Sequence, residues 1–181
     1  MMRPAVRVIA STEVEALLPA LVEVLRESVN GGASLGFLPP LTREDGRRYW
    51  LSLQAELRGG SRPLFAACLA DRLVGSGQLA LPRWPNARHR AEVQKLLVAA
   101  AFRGRGIGRA LVRAMHKAAR QRGRTLLLLN TRRGDPAEAF YRRLGYREAG
   151  VVPGYSVGPV GEAYDNVAMY RLLRDEAEGG A

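Results

Sequence analysis

The segment QKLLVAAAFRGRGIG, residues 94–108, decides which fold we expect for this chain. It begins in a strand-like apolar run at residues 96–98 and ends in a glycine-rich turn over residues 103–108. A helix-patterned segment follows at once, so backbone N–H groups gather at a helix start where no bulky side chain excludes an anion. The helix dipole favours negative charge there, and the arginines supply fork-shaped donors for phosphate oxygens. The segment therefore predicts a strand, a pyrophosphate-binding loop and a helix, in that order.

The spacing of the glycines argues against two common phosphate-binding loops. A Walker A loop places Lys and then Ser or Thr after its last glycine, whereas Gly108 is followed by Arg109 and Ala110. A dinucleotide fingerprint needs G-x-G-x-x-G, and the third position after Gly106 is Arg109. The pattern that fits is Arg-x-x-Gly-x-Gly, formed by Arg103, Gly106 and Gly108. This pattern resembles the coenzyme A pyrophosphate loop of the GNAT superfamily of N-acetyltransferases.

The composition indicates one globular domain. The chain has 181 residues, of which 47% are hydrophobic and 25% are charged, and this suits a single core. No apolar run approaches the roughly 18 residues of a membrane span, and the N-terminal residues lack a signal-peptide pattern, so we expect a cytoplasmic protein without a membrane partner. We expect a domain over residues 1–174 and a disordered tail over residues 175–181.

The net charge of +11 does not by itself indicate a nucleic-acid partner. Only Lys95 and Lys117 are lysines among 28 basic residues, a ratio that usually reflects genome composition. Glycine- and arginine-rich turns are common in such chains, which leaves an incidental origin of the loop open. Aromatic residues are scarce and do not alternate with the arginines, so we expect no nucleic-acid binding. The positive field would still attract a polyanionic cofactor.

Cysteine and histidine are too few for a disulfide or a convincing metal site. The single cysteine, Cys68, lies in the apolar segment LFAACLA and is interpreted as a core residue. His89 lies in a polar stretch, and His116 lies on the basic side of a helix. We therefore expect both histidines to be solvated and no metal to be bound.

Hydrophobic periodicity predicts the order β-α-α-β-β-β-α-β-α-β-β, which is typical of an α/β domain with a mixed sheet. The second predicted helix runs from Thr42 to Arg58, and the apolar run over residues 125–130 is typical of a strand buried on both faces. Asp135 as N-cap and Glu138 in a capping box predict the start of the last helix. The remaining predicted strands cover residues 6–9, 64–70, 73–81, 91–98, 147–155 and 166–172, and the other helices follow Glu13 and Gly106.

This order also matches the GNAT superfamily, and the segment AEAFYRRLGY, residues 137–146, supports the first motif. The resemblance covers nearly the whole chain. It implies a GNAT-like single domain in which a mixed central sheet of about seven strands, with a splayed parallel pair, is flanked by about four helices. It also implies acetyl-CoA as cosubstrate and no metal. The residues that it assigns to the cofactor are Leu96, Leu97, Val98, Arg103, Gly104, Arg105, Gly106, Ile107, Gly108, Arg109, Asn130, Ala137, Phe140 and Tyr141.

Three residues are the catalytic candidates. Tyr141 matches the tyrosine that faces the cofactor sulfur in relatives, and a phenol with a pKa of about 10 can donate a proton to a leaving thiolate; a tyrosine packed in the core is the alternative. Glu92 lies where relatives carry a base that often acts through water, and the alternative is a strand glutamate paired with Arg90. Asn130 replaces an aspartate of some relatives. An amide cannot act as a base, so Asn130 is expected to hydrogen-bond substrate or cofactor.

Segments outside the cofactor motifs bear on the acceptor. GGASLGF at residues 31–37 and VVPGYSV at residues 151–157 are similar to those of family members that acetylate an amino-acid toxin. We expect them to wall a pocket for the primary amine of an amino-acid-like or antibiotic-like small molecule. A protein N-terminal or lysine acetyltransferase and a catalytically silent CoA-binding sensor remain open as alternatives. The expected oligomeric state is a monomer or a homodimer.

Overall fold

The chain folds around a seven-stranded mixed sheet. The computed structural model describes residues 4–173, so the predicted tail at residues 175–181 lies outside the described residues. The strands are β1 (Ala5–Ile9), β2 (Leu64–Leu69), β3 (Arg72–Ala80), β4 (Arg90–Val98), β5 (Leu126–Arg132), β6 (Arg147–Val157) and β7 (Ala163–Leu172). The helices are α1 (Val14–Asn30), α2 (Arg43–Ser52), α3 (Gln54–Arg58), α4 (Ile107–Gln121) and α5 (Pro136–Arg143). The predicted α/β fold class and element order are confirmed.

The sheet order is β1-β2-β3-β4-β5-β7-β6, and β4 with β5 is its parallel pair. These two strands are paired only where Arg90–Glu92 faces Leu126–Leu128. Beyond Glu92, β4 continues to Val98 beside β3, while β5 continues to Arg132 beside β7. The sheet therefore splays in its middle, as predicted, and leaves the β5-facing edge of β4 without a neighbouring strand.

Helices cover both faces of the sheet and build two cores. On one face α1 and α2 bury Leu21, Leu25 and Trp50. On the other face α4 buries Leu111 and Met115 together with residues from β3, β4, β5 and β7. None of the helices within residues 4–173 combines the length and the apolar composition needed to cross a lipid bilayer.

The second predicted helix is two helices. Thr42, the predicted first residue, is the N-cap of α2, because its hydroxyl accepts the N–H of Asp45 at 3.1 Å. At Leu53 the backbone adopts φ −83° and ψ −8°, which interrupts the helix. Leu53 itself stays buried in the α1 core, so the interruption does not expose its apolar side chain.

The start of α5 differs in one hydrogen bond from the expected capping box. The carboxylate of Asp135 accepts the N–H of Ala137 at 3.1 Å, as an N-cap does. Glu138, however, accepts the N–H of Gly134 at 3.0 Å. The N–H of Asp135 donates instead to the carbonyl of Arg132, so it is not available to Glu138.

His116 is buried, and the prediction that it is solvated is wrong. The residue is only 6% exposed, and Nε2 lies 3.0 Å from the hydroxyl of Tyr146. Burial, and then the nearby Arg171, lowers its pKa to about 4. The prediction failed because His116 lies at the edge of the apolar face of α4, next to Lys117, and its sequence position did not show on which side it falls. His89 is exposed, as expected.

β5 is fully buried on one face only, so the prediction for residues 125–130 is wrong for the other face. Leu127 and Leu129 are buried, whereas Leu126 and Leu128 are half-buried. The reason is that α1 packs over β3 and β4, and the splay beyond Glu92 opens a cleft at the second face of β5.

Candidate active site

The gap between β4 and β5 opens into a cleft of about 380 Å³. Its walls come from both splayed strands, from α5, from residues 33–36 and from β6 with β7. Glu92, Asn130 and Tyr141, the three residues predicted to be catalytic, all line this cleft. The topology therefore brings together side chains from three elements that are distant in sequence.

Glu92 is the end of a hydrogen-bond chain that crosses the sheet. The side-chain amide of Asn166 donates to Oδ1 of Asn130 at 2.9 Å, and the amide of Asn130 donates to Oε1 of Glu92 at 3.4 Å. Asn166, on β7, is only 5% exposed. The chain orients the amide of Asn130 so that its donor side faces the Glu92 carboxylate. Among the ion pairs within residues 4–173, none involves Glu92, so it is not paired with Arg90.

Asn166 is a site residue that the sequence analysis missed. Its only sequence signal is one amide within the apolar strand segment NVAMY. Its role depends on the register that places β7 against β5, with Asn166 opposite Arg132. That register cannot be derived from local sequence.

Tyr141 lies on the cleft side of α5 and is 8% exposed. Its ring packs edge-on against Phe140 and Tyr146, at centroid distances of 5.1 and 5.5 Å. Burial, and then the charge of Asp135, raises its pKa well above the usual value. The hydroxyl is therefore protonated at neutral pH, which is the state that a proton donor requires.

A β-bulge in β4 places Lys95 in the wall of the cleft. Lys95 has a φ of 48°, and the pairing with β3 shifts between Ser76 and Gln78. Its ammonium group donates to the carbonyl of Leu35 and lies 5.3 Å from the ring centroid of Phe37. Burial, and then Arg62, lowers the pKa of Lys95. The lysine thus ties the 31–37 segment to the central strand, a contact that no local pattern predicts.

The glycine-rich loop has the backbone that its sequence predicts. Gly104 and Gly106 adopt φ values of 74° and 78°, in the left-handed region that glycine tolerates best. Gly106 is the N-cap of α4, and the N–H of Ala110 reaches its carbonyl at 3.0 Å. The N–H groups of the first turn of α4 therefore lie at its free end. These groups and the helix dipole can bind an anion.

The loop side chains differ in what they can offer. Arg103, Arg105 and Arg109 are exposed. Nε of Arg103 donates a hydrogen bond to the carbonyl of Val98 at 3.1 Å and is therefore not free for a ligand. Ile107 is 2% exposed, so it offers only its backbone. A Cβ at Gly108 would lie 3.3 Å from the ring of Phe140, so this glycine lets α5 approach the first turn of α4.

The remaining predicted cofactor residues border the same gap. Leu96 and Ala137 line the cleft, and Val98 ends β4 just before the loop. Leu97 is 2% exposed and pairs with Ser76 of β3, so only the β5-facing edge of β4 is available for a further backbone partner. An extended ligand arm could pair there and end beside Tyr141.

Comparisons with known proteins agree with this geometry. A sequence profile of the Acetyltransferase (GNAT) family matches residues 29–146, which is more than half of the chain. An uncharacterised N-acetyltransferase of Methanocaldococcus jannaschii is 41% identical over 69 residues, which cover 38% of this chain and 30% of that relative.

Solved structures match over nearly the whole chain. A GCN5-related N-acetyltransferase from Kribbella flavida is 28% identical with a TM-score of 0.76, covering 93% of this chain and 97% of its own. A putative acetyltransferase from Salmonella typhimurium, solved with its cofactor acetyl-CoA, has 17% identity and a TM-score of 0.74, with 99% of each chain covered. At this low identity, the likeness supports only the fold. Together with the splayed sheet and the glycine-rich loop, the family match shows that this chain belongs to the GNAT family of acetyltransferases.

Proposed function

We propose that this protein transfers the acetyl group of acetyl-CoA to the primary amine of a small molecule, within a ternary complex. The observation that carries the proposal is that Glu92, Asn130 and Tyr141 line one cleft at the gap between β4 and β5, while the glycine-rich start of α4 lies against the end of β4 and against α5. The loop suits a pyrophosphate, the free edge of β4 suits the pantetheine arm, and the cleft suits an amine.

The proposed chemistry divides between two proton-handling groups. Acetyl-CoA supplies an acetyl thioester. Glu92 accepts a proton from the acceptor ammonium, directly or through a water, which frees the lone pair for attack on the carbonyl carbon. As the new C–N bond forms and the C–S bond breaks, Tyr141 donates its proton to the departing sulfur. The nitrogen then loses its second proton, which returns through water to the Tyr141 oxygen, so that the products are the neutral amide and the thiol. Asn130 orients Glu92 and the amine, because its own amide is fixed by Asn166.

The walls of the cleft support a small acceptor. Residues 33–36 lie on one side, held by Lys95, and Tyr155 and Ser156 of β6 lie on the other. We infer an amino-acid-like amine from the resemblance that we draw between residues 31–37, 90–98 and 137–155 and the tabtoxin-resistance acetyltransferase. The same resemblance implies an aspartate at the position of Asn130. We therefore propose the reaction and the substrate class, and not the toxin itself.

Acetyl-CoA-dependent thiol release tests the proposal with a panel of amino acids, polyamines, amino sugars and peptides with free N-termini. We expect turnover on compact amines and a kcat lowered about 100-fold by Glu92→Gln, with unchanged affinity for acetyl-CoA in calorimetry. Turnover on peptides alone would instead indicate a protein acetyltransferase. Binding of acetyl-CoA without turnover on any amine would indicate a CoA-binding sensor.

A further inference from the structure

Arg132 is the last residue of β5 and lines the cleft two residues beyond Asn130. It also borders the adjoining cavity of about 480 Å³ between residues 36–39 and the β6–β7 turn. Its guanidinium carbon lies 4.0 Å from the ring centroid of Tyr164, so the group is stacked on an aromatic face. Arg132 therefore stands at the acceptor end of the site, at a fixed position.

The guanidinium has no hydrogen-bond acceptor and no ion-pair partner among residues 4–173, although its Nε is buried. The other cationic side chains near the cleft have partners within the protein. Lys95 donates to the carbonyl of Leu35, and Arg133 is paired with Asp165 at 3.6 Å. The carboxylate of Glu162, whose pKa Arg132 helps to lower, accepts the hydroxyl of Tyr164 at 2.7 Å and the N–H of Val160 at 3.0 Å.

A guanidinium group presents a planar fork of N–H donors that matches anionic oxygen groups. Stacking on Tyr164 occupies the face of the guanidinium and leaves its planar edge of N–H groups for an acceptor. A carboxylate matches that edge with two parallel hydrogen bonds. The chemistry that would satisfy Arg132 is therefore an anionic, planar oxygen group supplied by a ligand in the cleft.

We propose that Arg132 is the anion anchor of the acceptor site and that the acceptor is a compact amine that also carries a carboxylate. This inference rests on the proposed function. Asn130 and Arg132 lie two residues apart on one strand, which separates their Cα atoms by about 6.6 Å. Glu92 and Asn130 hold the amine at the reacting end, and Arg132 holds the carboxylate at the other end. The site thereby selects amino acids over simple amines.

The test compares amino acids with their carboxamides and their decarboxylated amines, in wild-type protein and in Arg132→Gln. In the wild type, kcat/KM for the acid exceeds that for the matched amide and amine by about 10- to 100-fold, the range of a hydrogen bond to a charged group. Arg132→Gln raises KM for the acids by a similar factor, leaves kcat nearly unchanged, and leaves the kinetics of the amines unchanged. Arg133→Gln is the matched control, because Arg133 is the neighbouring arginine and is paired outside the cleft; it should alter neither class.

Two results would contradict the role of Arg132 as anion anchor. Equal use of acids, amides and amines by the wild type would overturn the anchor, as would an Arg132→Gln variant that weakens all three classes alike. In either case acetyl transfer itself would stand. If none of the amines supported thiol release from acetyl-CoA, the proposed function would be overturned, and this inference with it.

Discussion

The position beside Glu92 on the neighbouring strand holds an amide and not a second carboxylate. The neighbouring position holds Asn130, whose amide donates to Glu92 at 3.4 Å while its oxygen accepts from Asn166. An aspartate at that distance would set two negative charges side by side, and like charges oppose each other's ionisation. The amide avoids that repulsion and leaves Glu92 as the single base in our account.

Tyr141→Phe tests the proton donor. The substitution removes the hydroxyl and keeps the ring that packs on Phe140 and Tyr146. We expect kcat to fall about 100-fold, since general acid catalysis contributes on that order, while calorimetric affinity for acetyl-CoA changes little. Because burial raises the pKa of Tyr141 above its usual value, its ionisation should not limit the wild-type rate at alkaline pH. An unchanged kcat would remove the acid role.

His116 gives a prediction on stability and pH. Its pKa is lowered to about 4 in the fold, against about 6.5 in the unfolded chain, because burial disfavours the charged form. Its contribution to the free energy of unfolding is therefore present above pH 6.5 and is lost as pH falls toward 4, by at most about 3 kcal/mol. Urea unfolding between these values should show a weaker pH dependence in His116→Gln. Identical pH dependence in both proteins would contradict the burial of a neutral imidazole.

At the scale of elements, the contact between α4 and β3 depends on glycine. A Cβ at Gly75 would lie 2.8 Å from the carbonyl of Leu97 and 3.3 Å from the side chains of Ile107 and Leu111. At Gly77 a Cβ would meet Met115 at 3.0 Å. The absent side chains let α4 lie close to the sheet, and its first turn then stands beside the end of β4.

Gly75→Ala should lower the free energy of unfolding by about 1–3 kcal/mol, the usual cost of overpacking. The crowding falls partly on backbone, which cannot move without disturbing the β3–β4 pairing. Gly150→Ala on β6 is the control, because a Cβ there has no neighbour within 4 Å among the described residues. Chemical denaturation measures both variants. Equal stability of the two would contradict the close approach of α4.

The glycine-rich loop is tested by a pair of variants that differ in charge alone. Asn and Asp both tolerate the φ of 78° at Gly106 better than other side chains and are of nearly equal size. The carboxylate of Gly106→Asp would repel a pyrophosphate at the start of α4, so acetyl-CoA should bind at least about tenfold more weakly than to Gly106→Asn. Calorimetric titration checks the ratio. Equal affinities would place the pyrophosphate elsewhere.

Elements with local signals were predictable, and long-range contacts were not. The glycine loop, the N-cap at Asp135 and the order of elements along the chain follow from residues close in sequence. The bulge at Lys95 and the role of Asn166 depend on strand register. The burial of His116 likewise depends on Tyr146, which comes from another element. Such contacts are set by tertiary packing, and no periodicity encodes them.

At the scale of the whole molecule, the splayed sheet combines two binding tasks in one domain. The parallel pair holds together over Arg90–Glu92 and then separates, so that the cleft at Glu92 opens beside β4, whose far end lies against the start of α4. The net charge of +11 adds a positive field that attracts a polyanion such as acetyl-CoA. The rate of cofactor association should accordingly fall with ionic strength.

Calorimetric titration of the purified protein with acetyl-CoA is the most direct test of the central claim. The loop at residues 103–108 and the free edge of β4 predict saturable one-to-one binding, which coenzyme A should compete for. Absence of binding by the folded protein would contradict the assignment of the gap between β4 and β5 as an acetyl-CoA site.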